Sequence, residues 1–130
     1  MTDHLIKSLK QPGRYAYEGL NRVIHEKARL SIIASLAGHA DGLLFSELKE
    51  VCSLTDGNLS RHLTILQEAG LIEVWKRLRN NRSLTLVRMT SEGRRHFLEY
   101  LEQLEQVIAD AEKTTQANNA VATLGPQLSV

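Results

Sequence analysis

Cysteine is nearly absent from this 130-residue chain, where Cys52 stands alone. It has no partner for an internal disulfide or a cysteine-rich metal site, which fits a reducing compartment. At an apolar position near a helix end, it reads as a small core residue. Long apolar runs are missing as well. No segment approaches the roughly 18 residues that cross a bilayer, and MTDHLIKSLKQPGRY lacks the apolar stretch of a secretory signal. The expectation is a cytoplasmic protein without a membrane role. GxSxG, P-loop, GxGxxG and HExxH patterns do not occur, and His4, His25, His39, His62 and His96 do not cluster with acids at ligand spacing. No nucleophile stands beside a base. Catalysis, a cofactor and a bound metal are therefore not expected, and the pairs His96 with Glu99 and His25 with Glu26 are the weak exceptions for a metal.

A large excess of one charge is also missing, since the net charge is only +1. The total conceals a division. From Leu71 to His96, seven basic residues (Lys76, Arg77, Arg79, Arg82, Arg88, Arg94, Arg95) face two acids, a local +5. From Phe97 to Lys113, five acids face one lysine, a local −4. A basic module followed by an acidic helix points to a polyanion partner for the first and a position away from it for the second. Hydrophobic residues at 42% and charged residues at 24% predict a folded chain, and its length predicts one modest core.

Residues 1–17, closed by Pro12-Gly13, read as an arm or a short helix. From Glu18 to Ala37 apolar residues recur at helical spacing, which predicts one long helix or two abutting ones with a break near His25 and Glu26. Gly38 supplies the stop. Leu43-Leu44-Phe45 reads as a short strand and Ser46 to Cys52 as a short helix capped by Ser46. The next helix begins at Thr55 or Asp56 and ends at Gly70, with Leu59, Leu63 and Leu66 as its buried stripe. Leu71–Trp75 and Ser83–Met89 read as strands joined by the loop Arg79-Asn80-Asn81-Arg82, a hairpin. Thr90 caps a last helix that runs to about Lys113, and 114–130 reads as a disordered tail. The fold class is thus mainly α with a small β-hairpin wing, a winged helix-turn-helix spanning 18–90, followed by a long helix at 91–113.

In a helix-turn-helix the second helix enters the DNA major groove, its first turns reaching base edges while the rear packs on the domain. With the leucines inward, Thr55, Asp56, Gly57, Asn58, Ser60, Arg61 and Thr64 form the outward edge. Asn pairs with adenine, Arg with guanine or phosphate, and Ser or Thr with either, so Arg61 leads, followed by Ser60 and Asn58. Gly57 permits close approach of a DNA backbone. His62, beside the stripe, has two readings, donation to a phosphate or a structural bond to the protein's own backbone. Such a polar edge alone is common on solvated helices, and charged hairpins also serve to block aggregation. The hairpin nevertheless supplies a second polyanion signal. Lys76, Arg77, Arg79 and Arg82 surround Asn80 and Asn81 with no acid between Glu73 and Glu92, as suits a wing on the sugar-phosphate backbone or in the minor groove.

LNRVIHEKARLSIIASLAG, FSELKEVCSLTDGNLSRHLTILQEAGLIEV and MTSEGRRHFLEYLEQLE closely resemble winged-helix transcriptional regulators related to the MarR and ArsR families. TDGNLSRHL and T-x-E-G-R-R-x-F look like the group known as the winged helix DNA-binding domain. The resemblance implies a homodimer, a recognition helix at Asp56 to Gly70 and a wing at Arg77 to Arg82. Independently, Phe97, Leu101, Leu104, Ile108 and Ala111 step at heptad spacing, widened by Leu98 and Val107. They form a dimerisation seam, or else pack on the first long helix of the same chain. The expected function is sequence-specific binding of double-stranded DNA by a homodimer, as a repressor. The competing reading is a protein-interaction module whose hairpin docks an acidic partner. A small-molecule effector would find Trp75, Phe97 and Tyr100 as its aromatic candidates.

Overall fold

The first helix begins at a glutamate. Glu26 is extended, and its carboxylate accepts the N–H groups of Ala28 and Arg29 at 3.2 and 2.9 Å, satisfying donors that the first turn leaves free. Helix α1 therefore spans Lys27–Ala37. The break expected near His25 and Glu26 is present, but the residues before it form turns instead of an abutting helix. The Asn21 side chain accepts the N–H groups of Val23 and Ile24, offering the backbone a local alternative to helical bonding.

The computed structural model describes residues 10–128, with side chains through Asn119, so most of the expected N-terminal arm or helix lies outside the described residues. After α1 come β1 (Leu43–Leu44), α2 (Phe45–Val51), α3 (Asp56–Glu68), β2 (Ile72–Arg79), β3 (Arg82–Met89) and α4 (Ser91–Leu128). Helix α2 is capped at Leu44, not Ser46, because the Glu47 carboxylate reaches back to the Leu44 N–H at 2.8 Å. One compact unit comprises residues 20–100, and another joins the N-terminal segment to α4 from Leu101 onward. In the first unit, Ile32, Ile33 and Leu36 of α1 share a core with Leu48 of α2, the α3 leucines, and Leu71, Ile72 and Val87.

The antiparallel sheet has the order β1-β3-β2, with Leu43 opposite Val87 and Val74 also opposite Val87. Its hairpin is longer than expected. Pairing continues to Arg79 opposite Arg82, leaving only Asn80 and Asn81 in the turn, at φ 53° and 62°. Two consecutive left-handed residues match the twist of a tight hairpin, and asparagine tolerates that conformation well.

Thr90 caps α4 as expected, accepting the Gly93 N–H at 2.9 Å while donating to the Gly70 carbonyl at 2.7 Å. The helix does not stop near Lys113, and its course to Leu128 replaces the expected disordered tail. The polar composition after Thr114 is unremarkable for a core, but no glycine or proline interrupts it before Gly125, and extending a nucleated helix costs little per residue. In the second unit, Asp110 is buried and receives both terminal nitrogens of Arg14 at 2.9 and 2.8 Å, the Tyr17 hydroxyl at 2.7 Å and the Gln106 amide at 2.9 Å. Hydrogen bonds from Arg14 and then Tyr17 hold its carboxyl well below the usual range. Among the described residues no helix is long and apolar enough to cross a membrane.

Candidate nucleic-acid interface

A tight turn separates α2 from α3. Ser53 adopts φ 53°, and the Leu54 N–H returns to the Lys49 carbonyl at 3.0 Å. Thr55 then caps α3, its hydroxyl accepting the Asn58 N–H at 3.2 Å. Asp56 suits the positive end of the helix dipole and pairs with Lys49 of α2 at 2.9 Å. Lys49, a residue the sequence reading does not single out, thus offsets the one negative charge on the edge.

Leu59, Leu63 and Leu66 are buried as expected, which leaves Thr55, Asp56, Gly57, Asn58, Ser60, Arg61 and Thr64 exposed. His62 does not join them. It is 6% exposed and lies 3.2 Å from the Arg29 side chain of α1, a structural role made through a side chain and not through the backbone. The spacing 59, 62, 63, 66 is the i, i+3, i+4, i+7 pattern of a buried face, a signal that its polarity hides. Burial depresses the imidazole pKa below its ordinary 6.5, with Arg61 and Arg29 adding to the effect and Glu26 opposing it.

The hairpin divides its side chains between two faces. Lys76, opposite Thr85, shares with Ser60, Thr64 and Gln67 of α3 a cleft of about 350 Å³. Arg77, opposite Leu84, and Arg79, opposite Arg82, belong to the other face. Lys76, Arg77, Arg79, Asn80, Asn81 and Arg82 are all exposed. Among the described residues, Arg61 and these four wing cations make no side-chain hydrogen bond or ion pair. Like charges directly across a ladder, as at Arg79 and Arg82, destabilise it unless an anion intervenes.

The weak metal candidates are otherwise engaged. Arg95 binds both Glu92 and Glu99 at 2.9 and 2.8 Å, Glu26 caps α1, and His25 bonds the Tyr100 hydroxyl at 2.8 Å. On α4 the expected seam divides. Phe97 is buried and stacked on Tyr100, so it belongs to the core, whereas Leu101 and Ile108 are 36% and 50% exposed and Leu104 is half-buried. Trp75 does not meet Phe97 and Tyr100 in one cavity. It lines a cleft on the outer face of the hairpin.

A buried leucine stripe aiming a polar helix edge, a tight turn before it and a basic hairpin after it define a winged helix-turn-helix protein. The model of the winged helix DNA-binding domain family matches residues 28–108, and the chain belongs to that family. An uncharacterized protein of Methanocaldococcus jannaschii is 34% identical over 91 residues, covering 70% of this chain and 98% of its own length. The structure of a transcriptional regulator homologue from Pyrococcus horikoshii superposes with TM-score 0.65 at 26% identity, over 84% of this chain and 97% of that one. MepR of S. aureus, solved as a complex with DNA, shares the fold at TM-score 0.61 and 16% identity over 95% of each chain. The resemblance to MarR-family regulators holds at the level of the fold.

Proposed function

We propose that this winged helix regulator binds double-stranded DNA sequence-specifically as a homodimer and acts as a repressor. The observation that carries the reading is the pairing of an exposed Asn58, Ser60, Arg61 and Thr64 edge with wing cations that have no acidic partner among the described residues. Helix α3 enters the major groove, where Arg61, Ser60 and Asn58 set preference, and Lys76, Arg77, Arg79 and Arg82 meet phosphates or the minor groove. That MepR, which shares the fold, was solved as a complex with DNA supports DNA as the partner.

The homodimer rests on Leu101, Leu104 and Ile108 with Leu98, an apolar strip that leaves much of its surface uncovered. A twofold protein reads half-sites about one DNA turn apart, roughly 34–36 Å. Repression by occupancy needs no contact beyond the DNA interface itself. Selection from a random duplex pool at low salt tests the reading, with a palindromic enriched motif expected. Failure to enrich any motif, together with salt-sensitive capture of an acidic peptide, would favour the protein-interaction reading.

A further inference from the structure

The face of the wing opposite α3 holds a second cleft. Leu44 of β1 stands opposite Leu86 of β3, and Leu86 opposite Trp75 of β2, an apolar row crossing all three strands. The next row pairs Leu84 with Arg77, and the cleft these residues line has a volume of about 560 Å³, within the span of small-molecule sites. Trp75 is 51% exposed there. Arg77, Arg79 and Arg88 stand at the same cleft, and among the described residues none of the three has a side-chain hydrogen bond or ion pair. Glu73, opposite Arg88 in register, forms no ion pair with it.

We propose that this cleft binds a small amphipathic anion, with its hydrocarbon body on Trp75, Leu84 and Leu86 and its acid group held by Arg77 with Arg79 or Arg88. The two halves of the cleft need different things. The leucines and the indole gain by covering with apolar surface, and the guanidiniums present paired donors that fit a carboxylate. Inorganic phosphate or a nucleic-acid backbone serves the arginines but leaves the apolar row wet, whereas a neutral lipid does the reverse. One molecule carrying both features satisfies the whole cleft. Its effect on regulation rests on the proposed DNA interface: Arg77 and Arg79 belong to both sites, so an anion held there competes with DNA for the wing.

Trp75 is the one tryptophan of the chain, so its fluorescence reports this cleft directly. Octanoate titrated into the DNA-free protein is expected to change that emission saturably. Acetate, which lacks the body, and 1-octanol, which lacks the charge, should each need at least about tenfold higher concentration. Arg88→Gln, outside the proposed DNA-contacting set, and Leu84→Ala should each weaken octanoate by about fivefold or more while melting cooperatively. No saturable change up to roughly 1 mM octanoate, an equal response to 1-octanol, or undiminished binding in Arg88→Gln overturns the site. Duplex binding measured without octanoate tests the DNA reading separately. A protein that binds octanoate but no duplex retains the site and loses only the competition with DNA, and one that binds duplex but no octanoate loses the site.

Discussion

Nδ1 of His62, on α3, lies 3.2 Å from a terminal nitrogen of Arg29 on α1. A guanidinium only donates, so Nδ1 accepts and the ring carries its proton on Nε2. The Glu26 carboxylate stands 3.7 Å from the same Nδ1 and 3.8 Å from Arg29. Burial alone would raise the Glu26 carboxyl, but hydrogen bonds from the Arg29 and Ala28 N–H groups, with the nearby Arg29 charge, outweigh it and leave the carboxyl below its ordinary value. The helix proposed to read DNA is thereby tied to the cap of the first helix through one neutral imidazole.

Protonating His62 removes the acceptor and sets a second cation against Arg29. Because burial places its folded pKa below the ordinary 6.5, the unfolded chain takes up the proton first as pH falls. Its contribution to stability is intact above about pH 6.5 and is lost progressively below it. His62→Gln retains an acceptor for Arg29 and does not titrate. Denaturant melts at about pH 7.5 and 5.5 should show a larger loss for the native protein than for His62→Gln. Equal losses would remove His62 from this role.

Arg61 and Arg79 separate the two parts of the proposed interface. Arg61→Ala is expected to relax preference at one position of the selected site, at a cost of about 1–3 kcal/mol for the preferred base. Arg79→Ala should instead weaken all duplexes alike and reduce the salt slope by about one. Competition binding against single-base variants at two salt concentrations measures both. Uniform weakening by Arg61→Ala would reassign that residue to the phosphate backbone.

The proposed dimer is tested at residues with little to do inside one chain. Leu98 and Ile108 are 55% and 50% exposed, so charge placed there leaves the core intact. Leu98→Glu with Ile108→Glu should yield a folded monomer by sedimentation, with loss of binding to the two-half-site duplex. Phe97 is unsuited to this experiment because its ring is core. A double variant that still sediments as a dimer places the interface elsewhere.

Period and turn chemistry made much of the fold legible. The α3 leucines, the Thr90 cap and the alternating strands declare themselves within a few residues. Local pattern misses what distant partners decide. Asp110 looks like another acid on a solvated helix, and it takes Arg14 and Tyr17, more than 90 residues away, to explain its burial. Glu26 is an uncommon cap, and its choice over an earlier helix start depends on Arg29 and the Asn21 turn. The outward edge of α3 was legible except for His62, and the division of the wing into two faces followed only from its register.

Two glycines complete the test by separating stability from recognition. A Cβ at Gly93 would collide with the Leu71 carbonyl oxygen, which also accepts the Thr90 N–H at 3.1 Å, so the backbone has little freedom to yield. Gly93→Ala should cost about 1–3 kcal/mol as an overpacked contact and lower the melting temperature. Among the described residues a Cβ at Gly57 meets nothing within 4 Å, and the position lies in the first turn of α3. Gly57→Ala should stabilise the protein by up to about 1 kcal/mol through helix propensity. If that turn abuts DNA as proposed, the same methyl group obstructs the backbone's approach and duplex affinity falls by about tenfold or more, the equivalent of 1.4 kcal/mol. A protein made more stable and less able to bind DNA by one methyl group is the expected pairing. Unchanged affinity in Gly57→Ala would move the first turn of α3 away from the DNA backbone and require a different docking geometry.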